Sequence, residues 1–226
     1  MIGQLIWTGE RRLRVRLTQE RVRGALVIRA ELPGLPEDRG AARRKARGLY
    51  LLEREGCGRL LSPGEEALPG VSTRPLWQSV AAPLALSFFQ RHGQRPELAR
   101  VALEGDRITR PLFTACCQLI TAVRGISLAR CPGSEELAWW LERQYGVPVS
   151  SGGGDVTVRF RPGPGGGDCL ALGGEVPSPP GFSLALKEEQ LPEEYPRLPL
   201  MTVLLEEGRI RPDQVRVVPE DLQKNV

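Results

Sequence analysis

Hydrophobic and polar residues in the middle of the chain alternate in a pattern that predicts two consecutive strand–helix–strand units. Short apolar runs at 99–104 and 126–130 have the length of buried strands. Amphipathic runs at 109–123 and 134–145 follow them, and each carries helix-capping residues at its ends. Residues 147–149 would form a third strand. Since strands that alternate with helices form parallel sheets, we expect the first two strands to be adjacent, parallel and central.

The beginning of the chain predicts a β-meander, in which consecutive strands pair in antiparallel fashion. Its three strands are expected at 4–8, 12–18 and 22–31. In the second strand, apolar residues alternate with Arg12, Arg14 and Arg16, so that one face is buried and the other is a row of arginines. Some arginines of the meander are expected to have acidic partners on a neighbouring strand.

The first of two predicted helices after the meander runs from Pro36 to Gly56. Glu37 and Asp38 would lie in its first turn, where the helix dipole favours acidic side chains. Gly48 lowers the stability of the helix by about 1 kcal/mol relative to alanine, so packing has to hold it. Its apolar stripe is expected at Ala42, Ala46 and Leu49.

The second helix is predicted to begin near Ser72 or Thr73 and to end at Gly93. His92 lies in its last turn, where an imidazole faces the carbonyl end of the helix dipole. Because it is the only histidine, we expect His92 to have a structural role and not to belong to a catalytic triad. A metal site with several histidine ligands is excluded for the same reason.

After Val149, glycine-rich turns separate several short apolar segments with no helix between them. This arrangement predicts antiparallel strands added to one side of the parallel sheet, before a last helix at 198–207 and a last strand at 214–218. The expected fold class is therefore α/β: a central parallel βαβαβ sheet, whose order of elements resembles a Rossmann fold, with antiparallel strands added, an N-terminal β-meander and two helices. We expect a basic N-terminal domain at 1–95 and an α/β domain at 96–226, which could also form one continuous domain.

The composition argues against several classes of protein. Five cysteines, an odd number without a CxxC pair, predict free thiols rather than a disulfide framework or a zinc site. No apolar run reaches the length of a membrane span. The first strand–helix junction lacks both GxGxxG and GxxxxGK[ST], and the glycine clusters at 152–154 and 163–167 do not lead into helices. We therefore expect a cytoplasmic protein without a metal ion or a cofactor.

The charge is unevenly distributed along the chain. The net charge is +4, whereas residues 1–60 hold 14 Lys and Arg against seven Asp and Glu. A basic face of this kind could contact phosphates, yet no recognition motif accompanies it, and the stacking aromatic residues in this region are limited to Trp7 and Tyr50. We expect nucleic-acid binding to be weak, sequence-independent and lost at ordinary salt concentrations.

Ligands of open parallel sheets bind outside the carboxyl ends of the strands. Three loops are expected at this edge, namely residues 104–107, 131–134 and 150–154. Glu104 and Asp106 are the best candidates for catalytic groups. The candidate ligand-binding residues are Asp106, Arg107, Ser134, Ser150 and Ser151. Amides at the start of the helix at Ser134 would face an anion; alternatively, Asp106 and Ser134 only begin their helices.

Three functions remain open on these residues. The first, which we favour, is a non-catalytic module that binds a small anionic ligand or a protein partner at the carboxyl edge. The second is an enzyme that uses Asp106 or Glu104 as a base on a small phosphorylated or carboxylated metabolite. The third is a nucleic-acid accessory protein that uses the N-terminal arginines. A deep pocket joining Asp106, Ser134 and Ser151 would favour the enzyme, and a contiguous positive groove around residues 12–16 would favour nucleic acid. No motif indicates a known family or a membrane partner.

Overall fold

A computed structural model describes residues 1–10, 14–174, 177, 179–188 and 191–220. Its strands are β1 (Ile2–Trp7), β2 (Arg16–Val22), β3 (Ala25–Leu32), β4 (Arg59–Leu60), β5 (Arg100–Glu104), β6 (Gly125–Ala129), β7 (Val156–Arg159), β8 (Cys169–Ala171), β9 (Phe182–Leu186) and β10 (Val215–Pro219). Its helices are α1 (Ala41–Arg54), α2 (Arg74–Ser79), α3 (Ala81–Arg91), α4 (Arg110–Leu119), α5 (Ser134–Tyr145) and α6 (Arg197–Glu206), with short 3-10 helices at Pro96–Leu98 and Pro212–Gln214. The fold class is α/β, as the sequence predicts.

The chain forms two compact units. Unit 1 comprises residues 1–72 and 191–211, and unit 2 comprises residues 73–190 and 212–226. The expected division into domains at residue 95 stays a prediction, because a grouping of contacts does not show which segments fold independently. Among the described residues, none of the helices is both long enough and apolar enough to cross a membrane.

Unit 1 contains a mixed sheet with the strand order β2-β3-β1-β4. A tight turn at Arg23 and Gly24, both with positive φ, joins β2 and β3 as an antiparallel hairpin. The predicted meander is wrong, however, because β1 pairs in parallel with β3 and with β4 rather than with β2. Strand β3 occupies the place beside β1, and β2 lies beyond it at the end of the strand order.

The helix α1 begins five residues later than predicted. The Asp38 carboxylate accepts a hydrogen bond from the Leu35 amide at 2.8 Å and closes a turn, and Gly40 takes a left-handed conformation with φ of 89° before the first helical residue. The acids Glu37 and Asp38 therefore lie outside the helix, whose first turn contains no acidic residue.

Of the predicted apolar stripe of α1, Leu49 is partly buried against the core of unit 1, but the other two positions are wrong. Ala42 and Ala46 are exposed, whereas Gly48 and Leu52 are buried against the sheet. A Cβ atom on Gly48 would lie 2.8 Å from Leu32 Cδ2 and 3.0 Å from a Leu5 methyl group, so any other residue here would have to displace these leucine side chains. Leu52 joins the core cluster of unit 1, which consists of Ile28, Ala30, Leu52, Cys57, Leu60 and Leu68.

A polar cluster links β2 and β3 to the segment before α6. The Tyr195 hydroxyl donates to a Glu20 carboxylate oxygen at 2.6 Å, and Arg29 lies 3.5 Å from Glu20 and 3.7 Å from Glu194. Burial and the hydrogen bond to Glu20 raise the pKa of Tyr195 to about 12. The Arg29–Glu20 contact is a cross-strand pair of the kind expected from the sequence.

Unit 2 contains a four-stranded sheet with the order β6-β5-β7-β8, in which every pairing is parallel. The expectation that β5 and β6 are adjacent and parallel is confirmed, but of these two strands only β5 is central, because β6 lies at one end of the strand order. Residues 147–149 do not form the third strand. The chain there makes only a bridge between Ser150 and Ser127, and β7 takes the position beside β5 instead.

The predicted antiparallel additions to this sheet are likewise wrong. Strands β7 and β8 continue the parallel sheet, and β9 and β10 pair in antiparallel fashion in a sheet of their own. The segment from 160 to 168 makes the return between β7 and β8 without a helix. Parallel strands are usually joined by a helical crossover, so a glycine-rich connection in the sequence does not indicate parallel pairing.

The predicted helix from Ser72 to Gly93 is divided into α2 and α3 at Val80. Pro83 explains the break, because a proline in the helix interior has no amide hydrogen and clashes with the carbonyl group four residues earlier. At the end of α3, His92 Nδ1 lies 2.9 Å from the Phe88 carbonyl oxygen, and the imidazole stacks on the Phe88 ring at 4.1 Å. His92 thus has local structural contacts at the position expected for it.

The capping residues of α4 and α5 agree only in part with the prediction. The Thr109 hydroxyl caps α4 by accepting a hydrogen bond from the Leu112 amide at 3.4 Å. In α5, however, Gly133 is the N-cap, and Ser134 makes no side-chain cap. On the same helix Leu137 and Leu141 are buried, whereas Trp140 is 37% exposed.

Candidate functional site

The carboxyl edge of the parallel sheet in unit 2 carries an ion cluster. Glu104 is the last residue of β5 and is paired in register with Arg159, the last residue of β7. Its Oε2 atom accepts hydrogen bonds from Arg159 Nε at 2.7 Å and from Arg161 Nη2 at 3.3 Å. Both Arg159 and Glu104 are largely buried, so this is a tight pair rather than a surface contact.

The ion cluster determines the protonation of Glu104. Burial acts to raise the pKa of this carboxyl group, but the hydrogen bond and charge of Arg159, together with the charges of Arg161 and Arg130, outweigh burial and hold the pKa below its usual value. A general base at neutral pH works best with a pKa near 7. The contacts of Glu104 therefore suit a structural ion pair better than proton abstraction.

Two of the three predicted loops do meet at this edge. A Cβ atom on Gly105 would lie 3.7 Å from Cys131 Sγ, and one on Gly133 would lie 3.9 Å from an Ile108 methylene carbon. Asp106 and Arg107 are exposed in the first loop, and Ser134 is half-buried at the end of the second. Three of the predicted ligand-binding residues thus belong to neighbouring loops.

The buried thiol at this edge is not activated. Burial raises the pKa of Cys131, and the negative charge of Asp106 raises it further. The thiolate is the nucleophilic form, so these surroundings favour an inert thiol.

Ser150 and Ser151 are not brought to the carboxyl edge. Ser150 exchanges backbone hydrogen bonds with β6 in the middle of that strand, through Ile126 and Leu128. The chain then leads to Asp155, whose amide donates to the carbonyl oxygen of Arg100, the first residue of β5. The expectation of a third loop at the carboxyl edge is wrong because it depended on a strand at 147–149.

Unit 1 contains a basic groove, which we call the arginine groove. It has a volume of about 800 Å³ and is lined by Arg14, Val15, Gly40, Arg43, Arg44, Arg47 and Leu51. One wall is a flank of α1, and Arg14 and Val15 contribute from the segment that precedes β2. The groove brings together one of the arginines singled out in the sequence and three that were not.

The packing of α1 explains why these arginines share one side. Gly48 and Leu52 are held against the sheet, and this sets the rotation of the helix about its axis. Positions 40, 43, 44, 47 and 51 are spaced three or four residues apart and form a continuous stripe beside the buried face. The stripe extends about 16 Å along the helix, at 1.5 Å per residue.

The charges of the groove are only partly balanced. Arg44 is paired with Asp38 at 3.1 Å. Arg14, Arg43 and Arg47 form no ion pair with any residue that the structure describes. The first turn of α1 adds its positive dipole end without a compensating acid. The lining of the groove therefore carries an excess of positive charge.

Two aromatic rings adjoin the arginines. The Arg44 guanidinium lies 5.6 Å from the centre of the Trp7 ring, and the Arg47 guanidinium lies 5.2 Å from that of Tyr50. Tyr50 is 51% exposed and can offer part of its ring to a ligand. An arginine beside an exposed aromatic ring, as Arg47 is beside Tyr50, suits a ligand that combines phosphate groups with planar bases.

The other arginines predicted to form this face are placed differently. Arg12 lies outside the described residues. Arg16 is exposed at the start of β2, opposite Glu31 in the register, and does not line the groove. Arg43, Arg44 and Arg47 were not among the arginines predicted to form the basic face. Their spacing along the sequence is the signal that could have placed them on one side of α1. Predicting the groove from this spacing requires knowledge of which face of α1 is buried.

Neither a model of a known protein family nor a curated protein sequence matches the chain. Among the residues described in the two units, no group of three or more His, Cys, Asp and Glu side chains could hold a metal ion.

Proposed function

We propose that this protein binds the phosphate backbone of single-stranded nucleic acid in the arginine groove and does so without catalysis. The observation that carries the proposal is the convergence of Arg14, Arg43 and Arg47, none of them in an ion pair within the described part of the chain. Arginines that carry no counter-charge gain most from phosphate contacts, because each contact releases a condensed counterion from the nucleic acid.

The length of the groove favours a polymer over a single small anion. The lining stripe on α1 covers about 16 Å, which exceeds the size of one phosphate group and matches a short run of backbone phosphates. Tyr50 beside Arg47 offers a surface on which a base can stack, which is a feature of single-strand binding. A contiguous positive groove is also the feature that distinguishes this function from the others in the sequence analysis.

The alternative of an enzyme at the carboxyl edge has less support. Its candidate base Glu104 is held ionised by Arg159 and Arg161, and Ser150 and Ser151 belong to another part of unit 2. Asp106, Arg107 and Ser134 remain as a candidate site for a small anionic ligand. The free state of all five cysteines suits a reducing compartment, so we place the protein in the cytoplasm.

The proposal is tested by fluorescence anisotropy with a dye-labelled oligothymidylate at about 50 mM salt, where phosphate contacts are strong. The test variant is Arg43→Gln/Arg47→Gln, which removes two charges from the groove. The matched control is Arg54→Gln/Arg95→Gln, which removes two arginines that do not line the groove and pair only with the nearby Glu55 and Glu97.

We expect the groove variant to bind the oligonucleotide at least about 10-fold more weakly than the native protein, because two phosphate contacts are lost. The control should change the affinity less than about twofold, because the two arginines that it removes do not line the groove and salt screens their long-range attraction for the oligonucleotide. Equal losses in the two variants, or no binding by the native protein, would show that the groove is not a nucleic-acid site.

A further inference from the structure

Helix α5 of unit 2 presents large aromatic side chains to solvent. Trp139 is 60% exposed, and Trp140 and Tyr145 are each 37% exposed. The helix buries Leu137 and Leu141 instead. Tryptophan is highly buried in most proteins, and clustered exposed apolar side chains mark surfaces that contact another molecule.

The aromatic side chains are held in place by their neighbours. The Trp140 ring lies 5.2 Å from the ring of Phe113 in α4 and meets the Tyr145 ring edge to face at 6.2 Å. Side chains that are already ordered lose little entropy when a partner binds, so this surface is prepared for an interaction.

Two carboxylates adjoin the tryptophans. Glu135 and Glu136 precede Trp139 and Trp140 by four residues each, which places the pairs on neighbouring positions of one helix face. Neither carboxylate forms an ion pair in the described ranges of the chain. The four side chains, which we call the α5 face, line a concave surface with a volume of about 530 Å³.

The chemistry of the α5 face suits a cation with an apolar stem. Indole rings attract guanidinium and ammonium groups, and carboxylates bind them through charge-assisted hydrogen bonds. One such contact already exists within α5, since the Arg143 guanidinium lies 5.2 Å from the centre of the Trp139 ring. The apolar stems of arginine and lysine would lie against the indole surface.

We propose that the α5 face is a docking surface for a basic segment of a partner protein, which places an arginine or lysine side chain between the two carboxylates and the two indoles. Charge complementarity selects this occupant, because the unpaired carboxylates favour a cation and disfavour an anionic membrane. The exposure of Trp139 leaves the surface open on one side, as a polypeptide segment requires, whereas a small organic cation is best held by an enclosing cage.

The test is an NMR titration of the full chain with a blocked peptide, acetyl-Gly-Arg-Gly-Arg-Gly-amide, followed through the indole N–H signals of the four tryptophans. We expect the signals of Trp139 and Trp140 to shift with a dissociation constant on the order of 1 mM, while those of Trp7 and Trp77 stay in place. A peptide with glutamine in place of arginine is the matched control ligand and should leave all four signals unchanged.

Variants then separate the two parts of the surface. Trp139→Ala and Glu135→Gln/Glu136→Gln should each weaken binding of the arginine peptide about two- to fivefold, because exposed cation–π contacts and ion pairs are of that strength. Leu98→Ala, at an exposed apolar residue elsewhere in unit 2, should have no effect. Thermal unfolding followed by circular dichroism checks that the variants remain folded.

Several results would overturn the proposal. These are the absence of shifts at millimolar arginine peptide, equal shifts with the glutamine peptide, or affinities unchanged in both α5 variants. Self-association that is lost in Trp139→Ala would identify a second copy as the occupant. Binding to phosphatidylcholine vesicles through Trp139 would identify a membrane, and tetramethylammonium binding as tight as that of the peptide would identify a small-cation site.

Discussion

The carboxylate of Glu104 shows how a single charge is stabilised at the end of a buried strand. Arg159 and Arg161 both donate hydrogen bonds to its Oε2 atom, and the side chain of Glu104 is only 12% exposed. A buried charge without a partner is costly, so removal of one member of such a cluster destabilises the fold by more than the pair itself contributes. Glu104 therefore has a structural role that can be measured independently of any activity.

Glu104→Gln should lower the free energy of unfolding by about 2 kcal/mol at neutral pH, because Arg159 and Arg161 lose their counter-charge. The lowered pKa of Glu104 means that its contribution is present above the pKa of the unfolded chain and is lost as the pH falls through the folded pKa. The difference between variant and native protein should thus shrink below about pH 4. Urea unfolding of both proteins at a series of pH values measures this difference in the free energy of unfolding.

Glu97→Gln is the matched control for this prediction. Glu97 is paired with Arg95 at 3.8 Å, but both side chains are about two-thirds exposed or more. Loss of such a surface pair should change the free energy of unfolding by less than about 0.5 kcal/mol. If Glu104→Gln has no larger effect than this control, the ion cluster does not stabilise the sheet.

Gly48 in α1 gives a second test at the residue scale, because helix propensity and packing predict opposite signs. Propensity alone predicts that Gly48→Ala stabilises the protein by about 1 kcal/mol. The added Cβ atom would lie 2.8 Å from Leu32 Cδ2, however, so we expect destabilisation by about 1 to 2 kcal/mol. Thermal or urea unfolding distinguishes the two, with exposed Ala46→Gly as the measure of propensity in the same helix. A stabilised Gly48→Ala variant would contradict the packing described for α1.

At the scale of elements, the sequence predicts what local signals determine. Thr109 marks the start of α4 and Gly146 the end of α5, and the apolar runs of β5 and β6 have the length of buried strands. The unit β5-α4-β6 is confirmed. The position of β7 was not predictable in the same way. Its alternating residues suit an edge strand of either direction, and its parallel pairing with β5 depends on contacts between distant segments.

The segment that leads into β7 passes close to the backbone of β5 at Gly154, and this close approach gives a testable prediction. A Cβ atom on Gly154 would lie 2.5 Å from the Ala102 amide nitrogen and 2.8 Å from the Arg100 carbonyl oxygen, and backbone atoms cannot move aside cheaply. Gly154→Ala should lower the free energy of unfolding by about 2 kcal/mol or more.

Gly153→Ala is the control, because a Cβ atom there would have no neighbour within 4 Å. Its effect should be neutral or slightly stabilising, since alanine restricts the unfolded chain. Urea unfolding of both variants checks the prediction. Equal stability of the two would mean that the segment before β7 does not pass against β5 as described.

Each candidate site could be predicted only as far as the strand or helix that carries it was predicted correctly. Asp106, Arg107 and Ser134 were found because they follow directly on well-predicted elements. Ser150 and Ser151 were misplaced because one short apolar run, residues 147–149, was interpreted as a strand. The arginine groove was missed because Gly48, which a propensity argument treats as a defect, is the residue that orients α1.

At the scale of the whole molecule, charge is separated between two surfaces that suit different ligands. The arginine groove of unit 1 is positive and flanked by aromatic rings, whereas the α5 face of unit 2 joins two carboxylates to two indoles. The net charge of +4 conceals this separation. The two proposals made above assign an anionic polymer to one unit and a basic protein segment to the other.

The central claim is that Arg14, Arg43 and Arg47 bind nucleic-acid phosphates, and the salt dependence of binding tests it most directly. The slope of the logarithm of the association constant against the logarithm of salt concentration should be about −2 for a labelled oligothymidylate, since each single-strand phosphate contact contributes about −0.7. Arg43→Gln/Arg47→Gln should reduce the slope to about −0.7, whereas Arg54→Gln/Arg95→Gln should retain it. A slope near zero for the native protein, or one that the groove variant leaves unchanged, would contradict the claim.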